Sequence, residues 1–329
     1  VNDTYEICPT YSSKLVVPKQ ITDEQLIQSA SYRELGRFPL LSYRYEKNGA
    51  VLMKSSQPNV NNTKRCKADE AILNCLLNKS QRGYIIDTIG KSKWNAENEQ
   101  HYHLWKKFIR PIGSFSSSSG CLDCFSKLIE ACSDTSISPE KWLARLESSG
   151  WLTLIHNSLN TACIVAQCMA LEGAPVIVHG GQGLDSALIV TSLVQIILNP
   201  DSRTLRGLMA LIDREWIQGG HPFGTRHAQS CYTSSQNRLK SSGATFVLFL
   251  DCIFQLYQQF PLSFEFDQQL LIILFEHSYF SQYGTFIADS ESERMELMAF
   301  NKTTSLWSYL NKPDVITTLL NSSKLIAFS

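Results

Sequence analysis

The chain has no excess of charge of either sign. Its 30 Lys and Arg balance 30 Asp and Glu, so no global field draws it to nucleic acid or to an anionic membrane. Charged residues make up only 18% of it, against 43% hydrophobic, which excludes a chain kept open by charge and solvation. A signal-peptide pattern is missing, and no apolar run reads as long enough to cross a bilayer. The longest, Phe246–Phe254, is broken by Asp251. The paired spacing of a zinc module is also missing. Cys121-Leu-Asp-Cys124 is a single C-x-x-C with no second pair and no βαβ context for thioredoxin-like chemistry, so a structural role is expected. His101-Tyr-His103 has no further ligands nearby in sequence and reads as a solvated loop. No metal and no cofactor are expected.

The ten cysteines are scattered along 329 residues. Several lie in apolar helical context, such as Cys163 and Cys168, and a chain of this length does not need disulfides. That usage implies a reduced, intracellular, cytoplasmic protein. The sequons at Asn2, Asn61, Asn78, Asn301 and Asn321 read as chance. The first residue is Val1 rather than Met, which reads as a fragment or a processed product.

Periodicity places the elements. Leu15–Pro18, Ala50–Met53 and Gly83–Asp87 read as strands. Thr22, followed by Gln25 and Leu26, reads as a capped helix start. Lys47-Asn-Gly49 is a hairpin-type turn. Asp69–Leu77 has amphipathic helical spacing. The Asp87 side chain either faces a ligand or caps the next element. Lys91–Gln100 and Gly113–Gly120 read as loops, and Ser138-Pro139 opens a helix. Trp151–Met169 is a long helix whose core-facing residues read as Leu152, Ile155, Leu159, Ala162, Cys163 and Ala166. Segments 208–216, 244–260 and 266–279 are apolar helices, the second of them central. Trp142, Trp151, Trp216 and Trp307 are expected as core anchors. There is no internal repeat. Strands in the first half and helices in the second predict a single α/β domain over 1–329 with a mixed central sheet and an α-rich C-terminal half.

One stretch carries most of the functional information. Val176-Ile-Val-His179 reads as a buried strand. The turn Gly180-Gly181-Gln182-Gly183-Leu184-Asp185 follows, and an apolar helix begins at Ser186. Strand, Gly-rich turn and helix N-terminus make a frame suited to an anion. The pattern resembles the His-Cys-x5-Arg loop of Cys-dependent phosphatases, with Gly180 at the Cys position and Ser186 at the Arg position. Such an enzyme needs a thiolate nucleophile, an Arg that forks onto phosphate oxygens and a general acid. Gly180 offers no nucleophile, and Ser186 is short and uncharged with no evident base. His179 is expected to point into the sheet, and Asp185 to cap the helix. Arg203, Arg206 and Arg214 form either structural salt bridges or a residual basic face near the loop. Two weaker readings use the same residues. The Ser-Gly-Gly-x-Asp-Ser loop of ATP pyrophosphatases would need an insertion here, and a dinucleotide fingerprint fails at Ser186.

The flanks narrow the reading. Tyr5–Tyr11, Leu15–Pro18, Gly36–Ser42, Asn48–Leu52, Ser56–Pro58 and Trp142–Leu152 resemble consecutive blocks of the myotubularin-related phosphatases. So do Arg203–Gly207, Glu215-Trp216, Gly220-His221, Phe260–Phe266, Tyr283–Phe286, Glu291–Arg294 and Ser305–Trp307. The family's active-site block is Val-His-Cys-Ser-Asp-Gly-Trp-Asp-Arg-Thr. His179, Gly183 and Asp185 match it; Gly180, Gln182, Leu184 and Ser186 depart from it. Together with Arg214–Phe223, these departures make the chain most similar to the inactive branch of the family.

The resemblance implies a Cys-dependent phosphatase-like fold without catalysis. It implies a regulatory or adaptor partner that binds an active myotubularin phosphoinositide 3-phosphatase as a heteromer and helps place it on endomembranes such as endosomes. Weak contact with phosphoinositide is implied as well, and no nucleic acid. The family's PH-GRAM domain and coiled coil are expected to lie outside this chain, which reads as incomplete at its C-terminus. Pairing would depend on that coiled coil. Two alternatives stay open: a phosphoinositide-binding module without a partner, and a hydrolase with a non-Cys nucleophile.

Overall fold

Five strands build one mixed sheet in the order β1-β2-β5-β3-β4. They are β1 (Leu40–Arg44), β2 (Val51–Ser55), β3 (Gly83–Asp87), β4 (Trp105–Ile109) and β5 (Val176–His179). The computed structural model describes residues 2–59, 65–77, 82–90, 100–115, 120–227, 243–297 and 299–321. β1 and β2 form an antiparallel hairpin across the turn at Lys47–Gly49, and the remaining pairs are parallel. All four residues of the central strand β5 are buried, as its unbroken apolar run requires when both sheet faces are covered.

Alternation along the strands sorts the core into two layers. Leu52, Ile86, Val176 and Val178 face the larger one, built by the C-terminal helices. Met53, Ile85 and Ile177 face a smaller one with Leu26, Ile72 and Leu73. The smaller layer is formed by α1 (Asp23–Tyr32) and α2 (Lys67–Asn74). At the start of α1 the expected capping box is present, with Gln25 N donating to Thr22 Oγ1 and Thr22 N donating to Gln25 Oε1. The larger layer is formed around α3 (Cys121–Ser133), α4 (Pro139–Ser148), α5 (Trp151–Glu172), α6 (Ser186–Leu198), α7 (Leu205–Ile212), α8 (Thr245–Gln259) and α9 (Gln268–Tyr279). The α/β class, the mixed sheet and the helix-rich second half agree with the sequence.

Several expectations are corrected. Leu15–Pro18 is irregular chain rather than a strand. Trp142 is 36% exposed on α4, whereas Trp151 and Trp216 are fully buried and Trp307 packs on the core edge. The buried face of α5 runs through Leu154, Ile155, Ser158, Thr161, Ala162, Val165, Ala166 and Met169. Leu152 is 48% exposed and Cys163 is also exposed. α5 is long and apolar enough to cross a bilayer by length and composition, contrary to the sequence reading, but half of that stretch is buried inside the fold. The nine described cysteines are free thiols. The loop expected at Lys91–Gln100, apart from Gln100, lies outside the described residues, as do Ser116–Ser119 of the Ser-rich loop.

Candidate functional site

The Gly-rich turn leaves the C-terminal end of β5 at the centre of the sheet and enters α6. Its backbone is held from four sides. Gly183 N donates to Gly180 O at 2.8 Å, and Gln57 N donates to Gly181 O at 2.8 Å. Arg37, itself buried, donates through one guanidinium nitrogen to Gly183 O at 3.0 Å and Gly219 O at 2.9 Å. The His221 Nδ1–H tautomer donates to Leu184 O at 2.8 Å. Gly183 sits at φ +73°, and a Cβ there would approach Ser56 N to 2.9 Å. Only glycine satisfies both the left-handed backbone and that close approach.

Two buried charge systems flank the turn. Lys54 on β2 and Glu215 pair at 2.7 Å with both side chains buried. Glu215 also accepts from the Ser42 hydroxyl at 2.8 Å. Asp87 ends β3 and accepts from Ile89 N at 3.1 Å and Gly90 N at 3.2 Å, with Lys107 at 3.5 Å. Of the two sequence readings of Asp87, capping is therefore the role it fills. His179, beside it in register on β5, is buried. Burial pushes its pKa down to about 4, against the opposing pull of Asp87, so its imidazole is neutral at pH 7.

The inside of the turn is filled by hydroxyls. Thr88 Oγ1 lies 2.6 Å from Ser186 Oγ and donates to His179 O at 3.0 Å. Thr88 and Ser186 are both buried. Asp185 does not cap α6. It stands at the N-cap position without a capping bond, because its carboxylate is held by Arg226, with one contact at 3.1 Å, and by Thr245 Oγ1 at 2.8 Å. The nearby ion pair outcompetes a cap bond to backbone amides.

The structure brings His179, Gly180, Gly181, Gln182, Gly183, Leu184, Asp185 and Ser186 together as one loop, with Gln182 exposed and Leu184 buried. The other candidates are elsewhere. Arg203 donates to Ile196 O at 2.8 Å at the far end of α6. Arg206 is exposed, and Arg214 bonds Gln195. The basic groups at the loop are instead Arg37 and Arg226, which sequence reasoning missed along with Thr88. Arg37 lies in the Gly36–Ser42 block, a signal that could have found it; Thr88 and Arg226 carry none. Among the described residues no group of three or more His, Cys, Asp or Glu could hold a metal. The sequon residues Asn2 and Asn321 are buried, and Asn2 donates to three backbone carbonyls.

The chemistry open to this arrangement is limited. Position 180 has no side chain. Cys121 lies near Asp185, and burial raises its thiol pKa far above the usual value, with the Asp185 charge adding to the shift, so it is a protonated thiol rather than a nucleophile. Ser186 Oγ bonds only to another hydroxyl among the described residues, with no base to activate it. Among the described residues the turn runs from strand to helix with no side chain at position 180, and the guanidiniums nearest to it, Arg37 and Arg226, are engaged by backbone carbonyls and by Asp185.

The family described as myotubularin-like phosphatase domain matches residues 1–295. Myotubularin-related protein 9 of Bos taurus is 46% identical over 330 residues, covering 98% of this chain and 59% of that protein. Myotubularin-related protein 9 of Caenorhabditis elegans is 40% identical over 98% of this chain and 58% of that protein. Human phosphatidylinositol-3-phosphate phosphatase MTMR7 is 34% identical over 98% of this chain and 50% of that protein. The chain thus spans half to three-fifths of the length of these relatives.

Proposed function

The chain belongs to the myotubularin-like phosphatase domain family, and from that membership we propose that it is a catalytically inactive member. Its role in this reading is to bind an active myotubularin phosphoinositide 3-phosphatase as a regulatory or adaptor subunit. One observation carries the reading. The loop that would hold the nucleophile and the phosphate-binding Arg has Gly180 and Ser186 in those places, and Ser186 is tied to Thr88 rather than to a base. The frame around the loop is nevertheless intact, with Arg37, His221 and the Lys54–Glu215 pair holding its backbone and flank. A fold kept in this detail without a nucleophile is suited to presenting a surface.

A place on the cytoplasmic face of endomembranes belongs to the same proposal, since a partner acting on phosphoinositides works there. Two measurements test the reading. Vesicles containing phosphatidylinositol 3-phosphate are incubated with the chain alone, and released phosphate is followed; no release above buffer is expected. The full-length parent is then purified from cells and its bound proteins identified. An active myotubularin phosphatase is expected among them, with higher turnover in the complex than alone. A full-length parent that carries no such phosphatase would overturn the regulatory role.

A further inference from the structure

Gly180 reads from the sequence as a lost nucleophile. Its surroundings give it a second meaning. Its φ is not left-handed, so backbone conformation does not demand glycine there. Space does. A Cβ at position 180 would fall 2.0 Å from Thr88 Oγ1 and 2.6 Å from Ser186 Oγ, both far inside contact distance. Those hydroxyls are fixed: Thr88 is fully buried, its oxygen bonds Ser186 Oγ at 2.6 Å and His179 O at 3.0 Å, and its amide donates to His179 O at 3.0 Å. The neighbouring Ile89 reaches over the turn as well, with its Cδ1 at 2.9 Å from where a Cβ on Gly181 would stand. Thr88 and Ile89 therefore pack directly against the turn at Gly180 and Gly181.

We propose that the Thr88 hydroxyl is an internal plug that closes this loop to tetrahedral oxyanions, including free phosphate and a phosphoinositide headgroup, and that Gly180 is required because it makes room for the plug. The inference rests on the inactive reading above and deepens it: the loop is closed by packing as well as stripped of its reactive groups. It follows that restoring side chains at positions 180 and 186 does not by itself restore an anion site.

A double-mutant cycle tests the plug without reference to catalysis. Gly180→Ala is expected to lower the melting temperature by several degrees in the wild-type background. In a Thr88→Ala background the oxygen is gone, the Thr88 Cβ lies at 3.4 Å, and the Ser186 hydroxyl, no longer tied to Thr88, is free to rotate away, so the same change is expected to cost less than half as much. If Gly180→Ala alone gives no folded protein, T88A/G180A is expected to fold. Equal losses in both backgrounds, or no folded protein in either, overturn the plug.

A binding experiment reads the consequence. Tungstate and orthophosphate are titrated calorimetrically, with hydrogen exchange of the 181–186 amides followed in parallel. The wild-type chain is expected to show no protection of those amides. G180C/S186R is expected to bind tungstate at least about tenfold more weakly than T88A/G180C/S186R. Equal affinity with and without Thr88, or protection of the wild-type loop by either anion, overturns the proposal. Turnover by the wild-type chain would remove the functional reading and leave the packing cycle untouched, so the two failures are distinguishable.

Discussion

Lys54 and Glu215 lie at 2.7 Å with 3% and 1% of their side chains exposed. Burial pulls the Lys54 ammonium pKa down, and Glu215 alone opposes that pull. Removing one partner leaves the other charge buried and uncompensated, which costs about 3–5 kcal/mol, whereas replacing both by apolar groups is often near neutral. Lys54→Met is therefore expected to lower the urea midpoint strongly, and Lys54→Met combined with Glu215→Met to recover part of that loss. At position 180 a Cys meets the Thr88 oxygen before it meets any substrate. Gly180→Cys is expected to release no phosphate from phosphatidylinositol 3-phosphate and to melt below wild type. A single mutant with robust turnover would contradict the placement of the loop. At this scale the sequence was legible only in part. The departures at Gly180 and Ser186 were plain, because they sit inside a local motif. Thr88, Arg37 and Arg226 were not, because they reach the loop from distant parts of the chain. Asp185 was misread as a cap for the same reason, since Arg226 lies far along the chain.

The central strands were legible, whereas Leu15–Pro18 is no strand and β4 was not anticipated. β3 falls on Gly83–Asp87 and β5 on Val176–His179, both as expected; a short apolar run flanked by turns leaves little freedom. Helices were found but not always turned correctly. On α5 almost every position that reads as apolar recurs at helical spacing, so several faces fit the pattern. Tertiary packing selected the one through Leu154, Val165 and Met169 and left Leu152 half exposed. That rotation is measurable. Leu154→Ala is expected to destabilise the fold by about 2–5 kcal/mol, as large-to-small core changes do, and Leu152→Ala by well under about 1 kcal/mol. Comparable losses in urea unfolding would place the wrong face in the core. The central role of α8 holds: Phe246, Leu248, Phe249, Leu250, Cys252 and Ile253 are buried. Asp251, which interrupts that apolar run, accepts from the Trp151 indole N–H at 2.7 Å, so the charge ties α8 to α5 rather than ending the helix.

For the whole molecule, three buried histidines set a pH dependence. Burial lowers the pKa of His179 to about 4 and those of His221 and His227 well below the ordinary value. A group whose folded pKa is depressed favours the native state above its unfolded pKa of about 6.5 and loses that contribution as pH falls towards the folded value. Stability is therefore expected to be full above about pH 6.5 and to fall towards about pH 4. Urea midpoints measured between those limits check the slope, and a flat profile would mean that these imidazoles are solvated. Arg37 and His221 hold the loop's carbonyls within this polar interior, so a core lesion and a loop lesion should differ in effect. Leu250→Asp buries an unpaired charge and should unfold the domain, removing any effect of the full-length parent on a partner phosphatase. The claim on which the account turns is that this intact frame performs no phosphoryl chemistry. Its most direct test is phosphate release from vesicles carrying phosphatidylinositol 3-phosphate, with the folded wild-type chain titrated over a wide concentration range in the presence of a chelator. The account predicts release indistinguishable from buffer at every concentration. Release that rises in proportion to the chain would contradict it.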